Sequence, residues 1–449
     1  MKKITITTQA FKSNPFLKLV FLCIILFSVS CKDKVEKPMT EAQLIEKALA
    51  IHERVITLDT HNDINVSNFT DSINYSQELD NQVNLPKMKK GGLDVSWFIV
   101  FTGQGDLDEE GYSKAYDNAI SKFNAIHKLT EEIAPNDIEL ATTSADVRRI
   151  NAAGKKVAMI GVENGYPLGM DIKRVKEFYD LGARYMSLSH TGNNQLSDAH
   201  NEEDKGERAY NAGLSDFGKE VIVEMNKWGI MIDLSHPSIK ANVQMMQLSK
   251  APVIASHSSA RALNPTTTRN LYDEQLMMLK ENGGVVQTVA FKAYLNTEKN
   301  DANNKARQDV LNKIAEEQDF KIIPRREVWG MEEEARKTYN TSFKTIRDLA
   351  KTKIEEVSKT APPVNVSDFV DHIDYLVNKM GLKHVGISSD FDGGGGIEGW
   401  NDASETMNVT IELVRRGYTE EEIGKLWSGN LLRVLDEVAK VAEEIQAGE

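Results

Sequence analysis

Cysteine is nearly absent from this chain of 449 residues: there are two, Cys23 and Cys31, both close to the N-terminus. No disulfide framework can hold the rest of the chain, and neither cysteine catalysis nor a cysteine-ligated zinc site is open to it. An excess of positive charge is missing too. Lys and Arg number 54 against 67 Asp and Glu, a formal net charge of -13, and no basic stripe stands out. Nucleic acid is thereby excluded as an expected partner. The acidic surface favours solubility and says nothing about fold. The apolar run Leu19–Val29 falls short of the roughly 20 residues that a membrane-spanning helix needs. The glycine run Gly393–Gly396 is followed by no Lys-Ser/Thr pair, so it reads as a flexible active-site loop and not as a phosphate cradle.

What is present begins with a targeting segment. Lys2, Lys3, Lys12 and Lys18 precede the short apolar run, and small residues follow it. That order is the pattern of a secretory signal. Ser28 and Ser30 lead into Cys31, which resembles a bacterial lipobox, although Ser28 stands where Leu is usual. The expectation is a lipoprotein signal peptide over 1–30, a lipid on Cys31, a polar tether over 31–40 and a body over 41–449. More than one acyl chain on Cys31 would anchor the protein firmly. It would then be exported and held in a bacterial cell envelope, on the periplasmic side or the cell surface.

The body alternates short apolar runs with amphipathic stretches. The runs are Val55–Leu58, Val95–Phe101, Val157–Val162, Tyr185–Leu188, Ile230–Leu234, Pro252–Ala255, Val285–Val289 and Val385–Ile387. Eight β/α alternations predict a parallel (β/α)8 barrel of the TIM type in the α/β class. A charged segment over about 291–363 interrupts the rhythm between strands seven and eight. Ala306–Glu317, Met331–Tyr339 and Ser342–Ser358 within it have helical character. It is expected as a helical insertion on the active-site face, a lid or partner surface on one reading and a solvated extension on the other.

Chemistry in such a barrel belongs at the C-terminal ends of strands. The first apolar run is followed by Asp59-Thr60-His61-Asn62-Asp63, where His61 and Asp63 are two apart and point to one side of extended chain. The third ends in Glu163, the fourth in His190, the fifth in His236, the sixth in His257 and the eighth in Asp390. Four of the nine His thus fall at expected strand ends beside acids. Nitrogen and oxygen ligands without sulfur suit zinc or a similar divalent ion. A carboxylate placed to bridge suggests two of them. His52, His127, His200, His372 and His384 are expected to be structural or exposed. Asp59 either orients His61 or fills the barrel mouth, and Asp392 shapes the glycine-rich turn.

On these residues the chain resembles the membrane dipeptidase (renal dipeptidase) family of the amidohydrolase-like metal barrels, in a bacterial lipoprotein form. The matching stretches are Asp59–Asp63, Gly161–Asn164, Leu188–His190 with Asn193 and Asp198, Asp233–His236, His257–Arg261, Arg269-Asn270, Asp390–Gly393 and Gly429–Arg433. The resemblance implies two Zn2+ per chain. His61 and Asp63 would hold one, His236 and His257 the other, with Glu163 between them. It implies hydrolysis of dipeptides with a free C-terminal carboxylate by a metal-bridged hydroxide. Asp390 would handle the proton and touch the substrate, His190 would bind the substrate and its developing oxyanion, and Arg269, rather than Arg261, would grip the carboxylate. A homodimer is also implied. The rival readings are a barrel hydrolase for another amide or a lactone, and a non-catalytic surface lipoprotein that binds peptides or metals.

Overall fold

Strand β2, Val95–Phe101, reads Val-Ser-Trp-Phe-Ile-Val-Phe, and nearly all of it is buried. A strand this apolar on both faces belongs in a parallel sheet covered on both sides. In the computed structural model, which describes residues 39–201 and 211–448, it lies second in a ring of eight parallel strands. The others are β1 (Leu58–Asp63), β4 (Lys156–Glu163), β5 (Ala183–Ser187), β6 (Met231–Asp233), β7 (Ile254–Ser258), β8 (Val285–Val289) and β9 (Val385–Ser388). Their order is β1-β2-β4-β5-β6-β7-β8-β9. Phe391 closes the ring by accepting a bond of 2.9 Å from the Asp63 amide. A short strand absent from the sequence reading, β3 (Ile138–Leu140), pairs with the start of β4 outside that path. The expected α/β barrel is the observed fold.

Side-chain alternation sorts the strands into two cores. Leu58, Val95, Trp97, Ile99, Val157, Met159, Tyr185, Met231, Ile254 and Val285 fill the barrel, with Leu431, Leu432 and Leu435 of the last helix, Asn430–Gly448, packed against them. Phe98, Val100, Ala158, Ile160, Val162, Met186, Ile232 and Val286 face the surrounding helices. The same parity carries Phe101 and Glu163, which are register partners, to the inner side of the mouth.

Several expected boundaries move. The first strand is Leu58–Asp63 and not Val55–Leu58, because the helix Glu41–His52 continues in a turn through Val55. The sixth ring strand runs to Ser258 and not Ala255. His61 and His257 therefore stand on strands rather than on loops. Between β8 and β9 lie the helices Lys292–Leu295, Thr297–Glu317, Arg325–Trp329 and Glu333–Val357. The expected break between Tyr339 and Ser342 is absent. No Gly or Pro interrupts Glu333–Val357, and Thr338, Thr341 and Thr345 return their hydroxyls to carbonyls four residues back. The two long helices share a small core of Ile314, Ala315, Ile346 and Ala350.

The barrel belongs to a unit spanning Leu44–Glu449, separate from Met1–Gln43. The expected signal segment, Cys31 and most of the expected tether lie outside the described residues. Among the described residues no helix is long and apolar enough to cross a membrane.

Candidate active site

Glu163 ends β4, and its carboxylate meets four imidazoles. Oε1 lies 2.9 Å from His236 Nε2, 3.3 Å from His257 Nε2 and 3.8 Å from His190 Nε2. Oε2 lies 3.5 Å from His61 Nε2, which is itself 3.8 Å from Asp63 Oδ2. The two oxygens of one carboxylate thus face two different sets of donors. Asp390 joins the cluster, with an oxygen within 4.8 Å of ligand atoms of His61 and His257. The strand-end residues named from sequence, His61, Asp63, Glu163, His190, His236, His257 and Asp390, all line or border one cavity of about 460 Å³. Phe101, Lys122, His200, Phe291, Tyr294 and Asp392 are among the other residues of its wall.

Two hydrogen-bond chains aim the imidazoles. Tyr185 on β5 donates its hydroxyl proton to the Thr60 carbonyl at 3.0 Å. Its oxygen is then left to accept from His61 Nδ1 at 2.9 Å, so Nε2 of His61 presents a lone pair to the cavity. On β7, Ser256 Oγ donates to Asp233 Oδ2 at 2.6 Å and accepts from His257 Nδ1 at 2.8 Å. Nε2 of His257 is thereby turned into the cavity, 2.9 Å from His236 Nε2 and 3.3 Å from Glu163 Oε1. Gly161 makes room for the first chain: a Cβ there would lie inside the Tyr185 ring. His236 and Asp390 sit in the left-handed region, at φ 83° and 60°. Such strain in non-glycine residues clusters at functional sites.

Charge in the cluster is unevenly shared. Burial works against a charge on His61, yet Glu163, Asp63 and Asp390 outweigh it and raise the imidazole to about 9. Burial also opposes the charge on Glu163, but the surrounding His hold its carboxyl well below the usual range. Burial, reinforced by Arg269 and neighbouring imidazoles, drives His236 and His257 well down. Burial pushes Asp390 up to about 8, with Asp63 and Glu163 adding to it.

These features fit divalent cations. His61 Nε2 is buried with no hydrogen-bond partner. For bonds of roughly 2.1 Å a tetrahedral site has donor–donor edges of about 3.4 Å. The observed spacings, 2.9 to 3.8 Å, bracket that value.

The remaining sequence candidates fall as follows. Arg269 is 3% exposed, donating Nη1 to Ser258 Oγ at 2.7 Å and Nη2 to the His257 carbonyl at 2.8 Å. Its Nε is buried without a partner, and its guanidinium lies 5.6 Å from the Tyr294 ring centroid. It stands beside the cavity rather than among the residues lining it. Arg261 instead stacks on Tyr272 and bonds the Thr267 carbonyl. Asp59 orients no imidazole: it receives the Ser389 amide at 2.8 Å and the Ser389 hydroxyl, tying β1 to the end of β9. Asp198 holds the amides of Asn211 and Gly213, and Asp392 those of Gln82 and Val83. His52, His127, His372 and His384 bond carbonyls away from the cavity. His200 corrects the sequence reading, since it lines the cavity against the His236 ring. Tyr185, Ser256 and Lys122 went unnoticed there. Tyr185 opens a run that reads as core, Ser256 stands just past the run Pro252–Ala255 as one serine among several, and Lys122 is one lysine on an amphipathic helix.

Known proteins with similar sequences and folds agree on a class. A family model described as Membrane dipeptidase (Peptidase family M19) matches residues 45–449. Dipeptidase aclJ of Aspergillus oryzae is 28% identical over 409 residues, 87% of this chain and 80% of the relative. The crystal structure of the probable dipeptidase PvdM from Pseudomonas aeruginosa superposes with a TM-score of 0.71 at 30% identity, over 89% of this chain and 100% of that one. A metallo peptidase from Rhodobacter sphaeroides, solved with a phosphinate mimic of the dipeptide L-Ala-D-Ala, shares the fold at a TM-score of 0.63 and 21% identity, over 86% of this chain and 99% of that one. This chain belongs to the membrane dipeptidase family, peptidase family M19, and is a metallopeptidase acting on dipeptides.

Proposed function

We propose that this dipeptidase works with two zinc ions and cleaves dipeptides that carry a free C-terminal carboxylate. His61 and Asp63 would hold one ion and His236 and His257 the other, with Glu163 shared between them. The observation that carries this reading is the division of Glu163: Oε2 faces His61, and Oε1 faces His236 and His257. When bound, such ions polarise a carbonyl and lower the pKa of coordinated water to about 7. The chain's own groups do the rest. Burial keeps His190 neutral near pH 7, so its ring can donate a hydrogen bond to the oxygen of the scissile carbonyl as charge builds there. Asp390 reaches the same space from the end of β9 and is placed to take a proton at its carboxylate and return it to the leaving amine. Arg269 would engage the substrate's carboxylate through its unpartnered Nε. Phe101, Phe291 and Tyr294 give the cavity aromatic walls.

Glu163→Gln tests the shared ligand. A neutral amide is a poor bridge between two cations, so the purified variant should lose both bound metal and dipeptide hydrolysis. Elemental analysis that finds the full metal content in an active variant would overturn the assignment. The export reading accompanies it: we infer that Cys31 carries lipid and holds the enzyme at a membrane, on the strength of the Lys-rich start, the apolar run and the small residues before Cys31.

A further inference from the structure

Lys122 is a basic side chain lining the cavity that neither the ligand set nor the proton-handling residues account for. It stands on the helix Glu109–Lys128 after β2, and 9% of it is exposed. Its Nζ lies 5.4 Å from the centroid of the Phe101 ring. Among the described residues its ammonium has no hydrogen bond and no ion pair. Asp63 and Glu163 act on it through space, but their oxygens are turned to His61, His236 and His257. Its side chain lines the catalytic cavity and also a neighbouring one of about 470 Å³ that contains Thr102, Asn118 and Tyr166. A desolvated ammonium beside a centre built for cations is unfavourable unless an anion comes to meet it.

The barrel says from which end of the substrate that anion comes. Arg269 lies in the connection after β7 and Lys122 in the connection after β2. In the closed order β1-β2-β4-β5-β6-β7-β8-β9, these strands are four steps apart in either direction, so they face each other across the mouth. A dipeptide whose C-terminal carboxylate is directed to Arg269 extends its N-terminal residue toward Lys122. We propose that Lys122 is a specificity-determining residue that receives the side-chain carboxylate of an N-terminal Asp or Glu. That placement rests on the reading of Arg269 as the carboxylate end of the site.

The test compares Glu-Ala, Leu-Ala, Lys-Ala and Ala-Glu on the metal-loaded enzyme and on Lys122→Met and Lys122→Arg. The native enzyme should prefer Glu-Ala to Lys-Ala. In Lys122→Met the ratio of kcat/KM for Glu-Ala over Leu-Ala should fall about tenfold or more, the scale of one charge-assisted hydrogen bond. Lys122→Arg should restore much of it. Phosphinate mimics of Glu-Ala and Leu-Ala should show the same change in relative inhibition, a readout independent of turnover. An unchanged ratio, or a loss confined to Ala-Glu, would overturn the proposal. Should Lys122→Met fail to fold, equal native rates on Glu-Ala and Lys-Ala would overturn it as well. Dipeptide amides give the separate check on Arg269: if the native enzyme cleaves Leu-Ala amide as well as Leu-Ala, the carboxylate reading fails, whatever Lys122 does.

Discussion

Tyr185 shows how a single hydroxyl can set a ligand. Its proton goes to the Thr60 carbonyl, so it can only accept from His61 Nδ1, and the imidazole is left with its lone pair on Nε2. Tyr185→Phe keeps the ring between Gly161 and Trp97 and removes that acceptor. Partners of this kind are worth about 10- to 100-fold in metal affinity or activity. The variant should lose that much affinity in a chelator competition while its fold is retained. Equal affinity for variant and native protein would show that packing alone orients His61. Protons compete for the same lone pairs. In the metal-free protein His61 is raised to about 9 and Asp390 to about 8. Below those values each group binds a proton that a cation must displace, so metal affinity rises with pH until the groups are already deprotonated. Between pH 6 and pH 8 it should climb about tenfold or more per unit, one proton released giving a factor of ten. A pH-independent affinity in buffered chelator titrations would contradict the proton-filled cluster.

At the scale of elements, closure of the barrel depends on a few groups where β1 meets β9. Backbone pairing there is limited to the Asn62–Phe391 bridge, and side chains supply much of the rest. Thr60 Oγ1 donates to the Ile387 carbonyl at 2.9 Å, and Asp59 takes both the amide and the hydroxyl of Ser389. Burial raises the Asp59 carboxyl to about 6 against the pull of those donors. Asp59→Ala leaves the buried Ser389 amide without its acceptor and the Ser389 hydroxyl with only the longer bond to Asn62 Oδ1 at 3.3 Å, at about 1–3 kcal/mol for each weakened donor. The variant should lose roughly 2–5 kcal/mol in denaturant unfolding, and Asp59→Asn, which keeps an acceptor, should lose less. Because His61 sits on β1 and Asp390 just past the end of β9, catalytic activity should fall with stability. An unfolding midpoint unchanged in Asp59→Ala would assign closure to the helical shell instead.

At the scale of the whole molecule, the catalytic body is preceded by the N-terminal segment for which an anchoring task is proposed. The barrel unit begins at Leu44 and the family match at residue 45, so the polar stretch after Cys31 precedes both. If that stretch is a tether, anchoring and catalysis are separable. Cys31→Ala should block attachment of radiolabelled lipid and move the enzyme out of the membrane fraction, while its dipeptidase activity stays with the released body. Label still incorporated into the variant would refute the anchor at Cys31.

Much of the barrel was legible because its signals are local. A buried parallel strand must be apolar along its length, and a side chain that does chemistry must stand where that strand ends, so Glu163, His190, His236 and Asp390 could be named from the residues before them. The family pattern could be read for the same reason, since it is carried by short stretches around strand ends. The limits of β1 and β7 were less visible, because His61 and His257 are polar residues inside strands whose pairing partners lie far along the chain. Nor could sequence tell Asp59, which closes the ring, from an acid that orients a ligand. Tyr185 reads as core until the barrel closes and brings it to His61, 124 residues away. Lys122 reads as one charge on a helix face until the turn of the helix lays it over Phe101 at the cavity wall. Periodicity and strand-end chemistry are properties of neighbouring residues. Orientation, proton placement and the opposition of Lys122 to Arg269 come from elements far apart in sequence, and only the closed ring sets them.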